Sequence, residues 1–291
     1  MISDIKSIII SMRPKQWVKN VFLFSGLIFG RKLLDIFLLA NVTAGFGLFC
    51  LTASSIYIFN DIRDRGEDKG HPEKGNRPLA AGRLEVYKGC IALAVLAATG
   101  LLGAYLLDLR FFIILGGYFL INIAYSIKIK HVVILDVMCI AFGFVARVLA
   151  GTALADVSAS DWLILCTITL SLFLGFSKRR HELALIGSNE NNHRKVLKKY
   201  SITFLDQMIA VATACTVMSY TLYTIADETV VKFGTRNLVF TIPLVIYGIY
   251  RYLYLIHQKE IGGNPTIALL TDFPLLLNGL LWLAAVVFII Y

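Results

Sequence analysis

Asn60, Asp61, Asp64 and Asp68 place four oxygen-bearing side chains within nine residues, at the end of a long apolar run. On a helix Asn60, Asp64 and Asp68 recur every fourth residue and stack along one face, with Asp61 at i, i+3 to Asp64. Carboxylates set that close at the edge of a hydrocarbon slab repel one another unless a cation lies between them. Hard oxygen ligands of this kind suit Mg²⁺, which keeps several of its waters and bridges to substrate phosphates. The plainer reading, a solvated acidic loop that ends a helix, leaves the in-phase order of one Asn and three Asp unexplained. The stretch therefore reads as a metal site with Asn60, Asp61, Asp64 and Asp68 as ligands and the three aspartates as its catalytic group.

Two charged loops hold most of the remaining chemistry. The first, 60–88, continues from the acidic ladder into His71-Pro72-Glu73-Lys74-Gly75-Asn76-Arg77-Pro78-Leu79-Ala80-Ala81-Gly82-Arg83. Its Pro and Gly density forbids a continuous helix, and Arg77 and Arg83 are suited to gripping phosphate. Six acidic residues against seven basic ones leave this loop at +1, so a bound metal tips it positive. The second loop, 178–200, opens with Lys178-Arg179-Arg180-His181-Glu182-Leu183 and closes with Arg194, Lys195, Lys198 and Lys199; Glu182 and Glu190 bring it to +5. The closing lysines read as an anchor on anionic headgroups. Lys178, Arg179 and Glu182 continue an apolar run directly, Arg179 and Glu182 share a face at i, i+3, and all three are candidate site residues.

The elements that must position these loops are membrane spans. Of 291 residues 57% are hydrophobic and only 16% charged, and the mean hydropathy is +0.73. These values belong to the all-α, polytopic membrane class. Nothing at the N-terminus resembles a cleavable signal peptide; Ile2, Ile5, Ile8, Ile9 and Met12 instead suggest an interfacial helix ahead of Arg13-Pro14. Apolar runs of helix length fall at 16–30, 36–59, 89–107, 111–125, 132–154, 162–176, 204–226, 238–255 and 273–291, which makes nine spans. The first, fourth and sixth are short and are expected to extend into flanking polar residues. With the N-terminus inside, inside segments carry 22 Lys and Arg against 5 outside, with Arg147 inside a span. That bias predicts a cytoplasmic N-terminus, cytoplasmic active-site loops and an outside C-terminus, and it accounts for the net charge of +9 without nucleic acid; the expected location is a bacterial inner (plasma) membrane. No soluble domain fits between the spans, so residues 1–291 read as one transmembrane catalytic domain capped by the two loops.

Five cysteines lie in or beside apolar runs without C-x-x-C spacing and read as small buried hydrophobes; the five histidines are scattered. Gly100 with Gly103, and Gly143 with Gly151, permit close helix contact. Asp136 and Arg147 share a face of the fifth run, eleven residues apart, too far to pair with each other, so each needs a partner on another helix or a watery cavity. Asn122 suits either an interhelical hydrogen bond or the site, Tyr125 ends its run beside Lys128, and Asp272 reads as a cap before Phe273-Pro274.

The ladder in the form N-D-x-x-D-x-x-x-D, the following Asn76-Arg77-Pro78-Leu79-Ala80-Ala81-Gly82-Arg83 and the nine runs together resemble the UbiA superfamily of intramembrane prenyltransferases. The resemblance implies nine helices around a central cavity, capped by the two loops, with Mg²⁺ on the aspartates. It departs where most members carry a second D-x-x-x-D motif, for here stands Lys178-Arg179-Arg180-His181-Glu182. With Arg13-Pro14-Lys15-Gln16-Trp17-Val18-Lys19-Asn20 and Gly262-Gly263-Asn264-Pro265 through Leu270-Thr271-Asp272, the pattern looks like the decaprenyl-phosphate phosphoribosyltransferase branch. That resemblance implies an enzyme that moves 5-phosphoribose from phosphoribosyl diphosphate to a polyprenyl phosphate for cell-wall precursors. It makes Asn60, Lys19, Arg77, Tyr125, Lys128, Lys178, Arg179, Glu182, Asp136 and Arg147 the candidate substrate contacts, with the 5-phosphate on Lys178, Arg179 and either Lys128 or Lys19. The bilayer is the other implied partner, and the pattern is compatible with a homo-oligomer. The rival enzyme is a UbiA-type aromatic prenyltransferase using a prenyl diphosphate, whose second aspartate motif is missing here. A transporter is the rival class, but no internal repeat is apparent and the charge is concentrated on one surface.

Overall fold

In the computed structural model, which describes residues 2–70, 74–184, 196–259 and 265–291, the chain is helical and, among those residues, has no strand. Among the described residues eight helices are long and apolar enough to cross a membrane. They include α3 (Ile36–Arg63), α5 (Val86–Leu107), α6 (Leu109–Ile127), α7 (Leu135–Leu154), α8 (Asp161–Ala184), α9 (Ile202–Ile225) and α13 (Phe273–Ile290). The eighth joins a short 3-10 turn, Asn237–Thr241, to α11 (Ile242–Gln258). Short helices α1 (Ile2–Met12), α2 (Ser25–Phe29), α4 (Arg65–Asp68), α10 (Asp227–Phe233) and α12 (Pro265–Thr271) lie between or before them. The runs expected at 111–125 and 162–176 do extend into their flanks, as α6 and α8.

The first expected span forms differently. Residues Pro14–Phe24 wind as a 3-10 helix and pass into α2, so the run at 16–30 is not one long α-helix. A period of three explains the winding. Trp17, Asn20 and Leu23 are spaced by three, and a 3-10 helix eclipses residues at i and i+3, so all three fall in one row. Trp17 Nε1 donates to Ser54 Oγ at 3.1 Å, Asn20 Nδ2 reaches Cys50 Sγ at 3.1 Å, and Leu23 is fully buried. An α-helix would splay that row around its circumference.

The chain divides into two compact units, Met1–Val132 with Ala146–Ser158, and Val133–Val145 with Ala159–Tyr291. In the first, α3 packs on α1, α5, α6 and the 3-10 segment. Its core joins Leu23, Phe49, Phe111, Leu115 and Ala150, while Ile58, Leu79 and Leu84 form a smaller apolar cluster beneath the loop that follows α4. In the second, α8 packs on α9, and α9 and α13 pack on α11, around Phe173, Leu205, Ile209, Tyr252 and Ile256. Acidic or hydroxyl side chains cap the helix starts: Asp35 on Phe37 and Leu38, Asp108 on Phe111, Ser201 on Phe204, and Asp272 on Leu275 as expected. Phe37, Leu106 and Phe288 face outward, the low-energy arrangement when the solvent is lipid.

Helix α1 buries Ser7 and Ser11 and packs Ile8 and Met12 on the Ile58, Leu79 and Leu84 cluster, while Ile5 and Ile9 are about half exposed. One expectation needs correction. Of the five cysteines only Cys50 is buried, and Cys90 and Cys215 are exposed. A membrane exterior is itself apolar, so a thiol there needs no burial.

Glycines set the closest approach within the first unit. A Cβ on Gly26 would lie 2.8 Å from the backbone of Gly151 and Thr152, and one on Gly151 would overlap the Leu23 backbone. Backbone cannot move aside as a flexible side chain can, whereas a Cβ on Gly116 meets nothing within 4 Å. Gly151→Ala is therefore expected to destabilise the detergent-solubilised protein by about 1–3 kcal/mol, while Gly116→Ala leaves the melting temperature unchanged or higher. Equal melting temperatures for the two variants would contradict the packing described.

Candidate active site

The acidic ladder keeps helical spacing across the junction of α3 and α4. Asp64 N–H donates to Asn60 O and Asp68 N–H to Asp64 O, both at 2.8 Å. Asp61 and Asp68 are buried, while Asn60 and Asp64 are half-buried. The side chains do not converge as the four-residue spacing suggests. Asp61 and Asp68, seven apart, meet through Arg77, whose Nη1 stands 3.2 Å from Asp61 Oδ1 and 2.5 Å from Asp68 Oδ2. Asp64 turns aside to Lys130 Nζ at 2.6 Å. Among the described residues no three His, Cys, Asp or Glu side chains gather closely enough to hold one ion.

Arg13 supplies the second cation on Asp61, through a short ion pair, with its guanidinium carbon 5.1 Å from the Tyr57 ring centroid. The backbone explains its reach. Pro14 bars Arg13 from the right-handed helical region, and Arg13 lies at φ 54°, ψ 62°, which turns the chain between α1 and the 3-10 segment. Arg77 is held by the fold of its own loop. Arg77 O accepts from Ala81 N–H at 2.8 Å, Pro78 O from Leu84 N–H at 3.1 Å, and Gly82 takes φ 72° to close the turn. Leu79 and Leu84 bury beneath it. Arg83 donates to the Asn76 carbonyl.

Elsewhere in this unit Arg147 is buried, as its place inside a span requires. Its Nε donates to Asn20 Oδ1 at 2.7 Å and one terminal nitrogen to Tyr118 OH at 3.0 Å, with its guanidinium carbon 5.1 Å and 5.0 Å from the Phe49 and Tyr118 ring centroids. Asn122 Nδ2 returns to Tyr118 O on its own helix at 2.8 Å rather than crossing to another. Lys19 and Tyr125 are half-buried, and Lys128 is exposed at the end of α6.

The second unit carries its own buried network. Arg179 is wholly enclosed: its Nε meets Asp136 Oδ2 and its Nη1 meets Glu182 Oε2, each at 2.5 Å. Lys178 Nζ lies 3.9 Å from Glu182 Oε1 and is about a third exposed. Tyr200 OH donates to Asp136 Oδ1 at 2.7 Å and accepts from Ile134 N–H at 2.7 Å, which holds Ile134 at φ 69°. Burial, reinforced by the Asp136 carboxylate, pushes the Tyr200 phenol above its ordinary value, so it stays a donor. Asp136 and Arg147 thus each find partners on other helices, as eleven residues of separation demands.

Beyond the sequence-derived set, Arg13 and Lys130 touch the ladder, Asn20 and Tyr118 touch Arg147, and Tyr200 touches Asp136. Lys130 follows Lys128 by two, and only the short 3-10 turn at Ile129–His131 decides which of the two faces Asp64. His71–Glu73, Glu190, Arg194, Lys195 and Gly262–Asn264 lie outside the described residues.

The family model for the UbiA prenyltransferase family matches residues 21–268. The chain is 30% identical to the decaprenyl-phosphate phosphoribosyltransferase of Mycolicibacterium smegmatis, over 99% of this chain and 93% of that protein. It is 31% identical to the protein of the same name from Corynebacterium glutamicum, over 97% and 86% of the two. A solved UbiA homologue from Archaeoglobus fulgidus, bound to GPP and Mg2+, superposes with a TM-score of 0.75 at 18% identity, covering 98% of this chain and 99% of that one. That likeness speaks for the fold, and the sequence matches speak for descent. With its all-helical, multi-pass architecture, the chain belongs to the UbiA prenyltransferase family and is a membrane-embedded transferase.

Proposed function

We propose that the chain transfers 5-phosphoribose from phosphoribosyl diphosphate to a polyprenyl phosphate of decaprenyl type, as the names of its relatives suggest. The observation that carries this reading is the state of the region where most family members have a second acidic motif. Glu182, the one acid left in the Lys178–Glu182 stretch, is tied to Arg179, which also engages Asp136. Because Arg179 is wholly enclosed and also holds Asp136, it cannot swing away from Glu182 as the partly exposed Arg13 and Arg77 can from the ladder; Glu182 is therefore a poor second metal ligand, whereas Lys178 beside it offers a charge for a phosphate.

The residues of the ladder fit one Mg²⁺. Asp61 and Asp68 already direct an oxygen each at a single cationic nitrogen, and Mg²⁺ is commonly held by one or two carboxylates, waters and substrate phosphates. Asp61 and Asp68 would hold it, and when bound it supplies positive charge opposite a departing diphosphate. Arg13 and Arg77 are the hydrogen-bond donors for diphosphate oxygens once released from the carboxylates. Lys130 keeps Asp64 in place, and Arg179 positions Glu182 and Lys178 rather than gripping phosphate itself. The ribose C1 bond to the diphosphate oxygen breaks, and C1 bonds to an oxygen of the acceptor phosphate. That acceptor is anionic at neutral pH and needs no general base, so the chain's task is positioning and stabilising an oxocarbenium-like ribose.

Labelled phosphoribosyl diphosphate and polyprenyl phosphate, given to the purified protein with Mg²⁺, should yield a lipid-linked product. Turnover of a prenyl diphosphate with an aromatic acid, and no such product, would sink the reading. In the same assay Asp61→Asn or Asp68→Asn should lower kcat about 100-fold or more and raise the Mg²⁺ needed for half-maximal rate. Full Mg²⁺-dependent turnover in both variants would exclude the ladder as the site.

The buried network separates Lys178 from Arg179. Lys178→Ala should raise the KM for phosphoribosyl diphosphate about tenfold with an unchanged melting temperature. Arg179→Met leaves the Asp136 carboxylate buried and without its cation, and should cost about 3–5 kcal/mol of stability. A stable Arg179→Met protein defective only in donor affinity would reverse the two assignments.

A further inference from the structure

One hydroxyl ties two elements together beside the Lys178 and Glu182 pair. Tyr200 OH donates to Asp136 Oδ1 and accepts from Ile134 N–H, each at 2.7 Å. The ring itself is anchored from the other side. It stacks on Phe204 at a centroid distance of 6.0 Å, and the preceding Val196 and Leu197 are buried in the core of the second unit. The 3-10 turn Leu197–Lys199 delivers it there, with Tyr200 N–H on Leu197 O at 3.1 Å. The hydroxyl is therefore a fixed point against which Asp136 is oriented.

From Asp136 the contacts run outward. Asp136 Oδ2 meets Arg179 Nε and Arg179 Nη1 meets Glu182 Oε2, each at 2.5 Å, while Glu182 Oε1 lies 3.9 Å from Lys178 Nζ. Glu182 is shared between two cations, and unequally. Asp136 and Arg179 are wholly buried, whereas Glu182 and Lys178 are partly exposed. The inner pair cannot exchange a lost partner for water, and the outer pair has room to move.

Arg179 stays on Glu182 because Asp136 holds it, and Asp136 in turn is held by Tyr200. Without the Tyr200 hydroxyl, Asp136 Oδ1 is a buried carboxylate oxygen that has lost a donor. Arg179 stands beside it, and a carboxylate takes two parallel guanidinium N–H groups when it can. The guanidinium is a rigid plane. A turn within its enclosure that brings a second N–H onto Asp136 carries Nη1 off Glu182. Glu182 then closes on Lys178 and cancels its charge.

We propose, on the phosphoribosyl-transfer reading above, that Tyr200 is a positioning residue for the donor. By orienting Asp136 it keeps Glu182 on Arg179 and leaves the charge of Lys178 to the 5-phosphate. It acts through Asp136 and Arg179 and not by touching substrate.

The same hydroxyl holds Ile134 at φ 69°, a conformation unfavourable to a β-branched residue. Each of its two hydrogen bonds therefore has a separate rescue. Glycine takes positive φ without strain, and the Ile134 side chain is exposed, so Ile134→Gly repairs a defect that lies in the turn. Glu182→Gln removes the acid that competes for Lys178, and repairs a defect that lies in the charge.

Steady-state kinetics of the full-length protein with phosphoribosyl diphosphate and polyprenyl phosphate separate the two. Tyr200→Phe, which keeps the ring, should raise the KM for phosphoribosyl diphosphate about fivefold, with kcat and the KM for polyprenyl phosphate unchanged. Adding Glu182→Gln should return the donor KM to the parent value, and adding Ile134→Gly should not. A donor KM restored by Ile134→Gly, or left raised by Glu182→Gln, would confine Tyr200 to the turn and overturn the proposal. If Tyr200→Phe does not fold, Glu182→Gln by itself decides: its donor KM should equal the parent's or fall below it, and a rise would overturn the proposal. A parent protein that makes no lipid-linked product fails at the reaction assigned above, and the role of Tyr200 falls with it. A parent that turns over, beside a Tyr200→Phe with the same donor KM, fails this role alone.

Discussion

A charge removed from water must be met by an opposite charge or by aligned dipoles, and this single requirement organises the interior of the chain. The ladder brings Asp61 and Asp68 into burial at the end of a span, and Arg13, Arg77 and Lys130 come to it. Each cation arrives from a different part of the sequence: one precedes the 3-10 segment, one sits in the loop after α4, and one follows α6. The local backbone serves that convergence. Arg13 accepts a left-handed conformation, and the Pro78–Gly82 turn buries Leu79 so that Arg77 faces the carboxylates. In the second unit the same rule holds with the signs exchanged, since the enclosed cation is Arg179 and Asp136, Glu182 and Tyr200 are gathered around it.

Backbone proximity makes the first of these arrangements reachable. The Gly26 and Gly151 pair lets the 3-10 segment lie directly on the second half of α7, and the row Trp17, Asn20, Leu23 then faces α3. Asn20 links both neighbours, donating to Cys50 and accepting from Arg147. The segment that starts at Arg13 is therefore fixed along its length by polar contacts within an apolar layer. Such contacts are specific because lipid offers no substitute partner for a side chain that loses its own.

The sequence made the spans and the ladder legible because both are set by local rules. A helix in lipid must be long and apolar, so eight of nine runs could be read from hydropathy, and the ladder from the four-residue repeat. The first run failed that rule because it carries polar residues at Lys15, Gln16, Lys19 and Asn20 and sets Trp17, Asn20 and Leu23 in a three-residue row instead. Which lysine of Lys128 and Lys130 faces Asp64 was not legible, since a single 3-10 turn reverses the choice. Nor was the enclosure of Arg179, because Asp136 lies 43 residues away and spacing along one helix cannot reveal a partner on another. Composition shows that charges must be paired; long-range packing decides with whom.

On the proposed chemistry, the pairing has a consequence for what the site accepts. Arg13 and Arg77 neutralise Asp61 and Asp68. A dication alone would displace the arginines and leave them without anions, and a diphosphate alone would draw them off and leave the carboxylates exposed to one another. A metal and a diphosphate arriving together satisfy both sets at once, the metal on the carboxylates and the phosphate oxygens on the guanidinium groups. Binding of each is then coupled favourably to binding of the other, and by linkage the coupling is the same in both directions. The internal ion pairs so set a threshold that either ion alone meets poorly, and they favour a donor that carries its diphosphate with its metal.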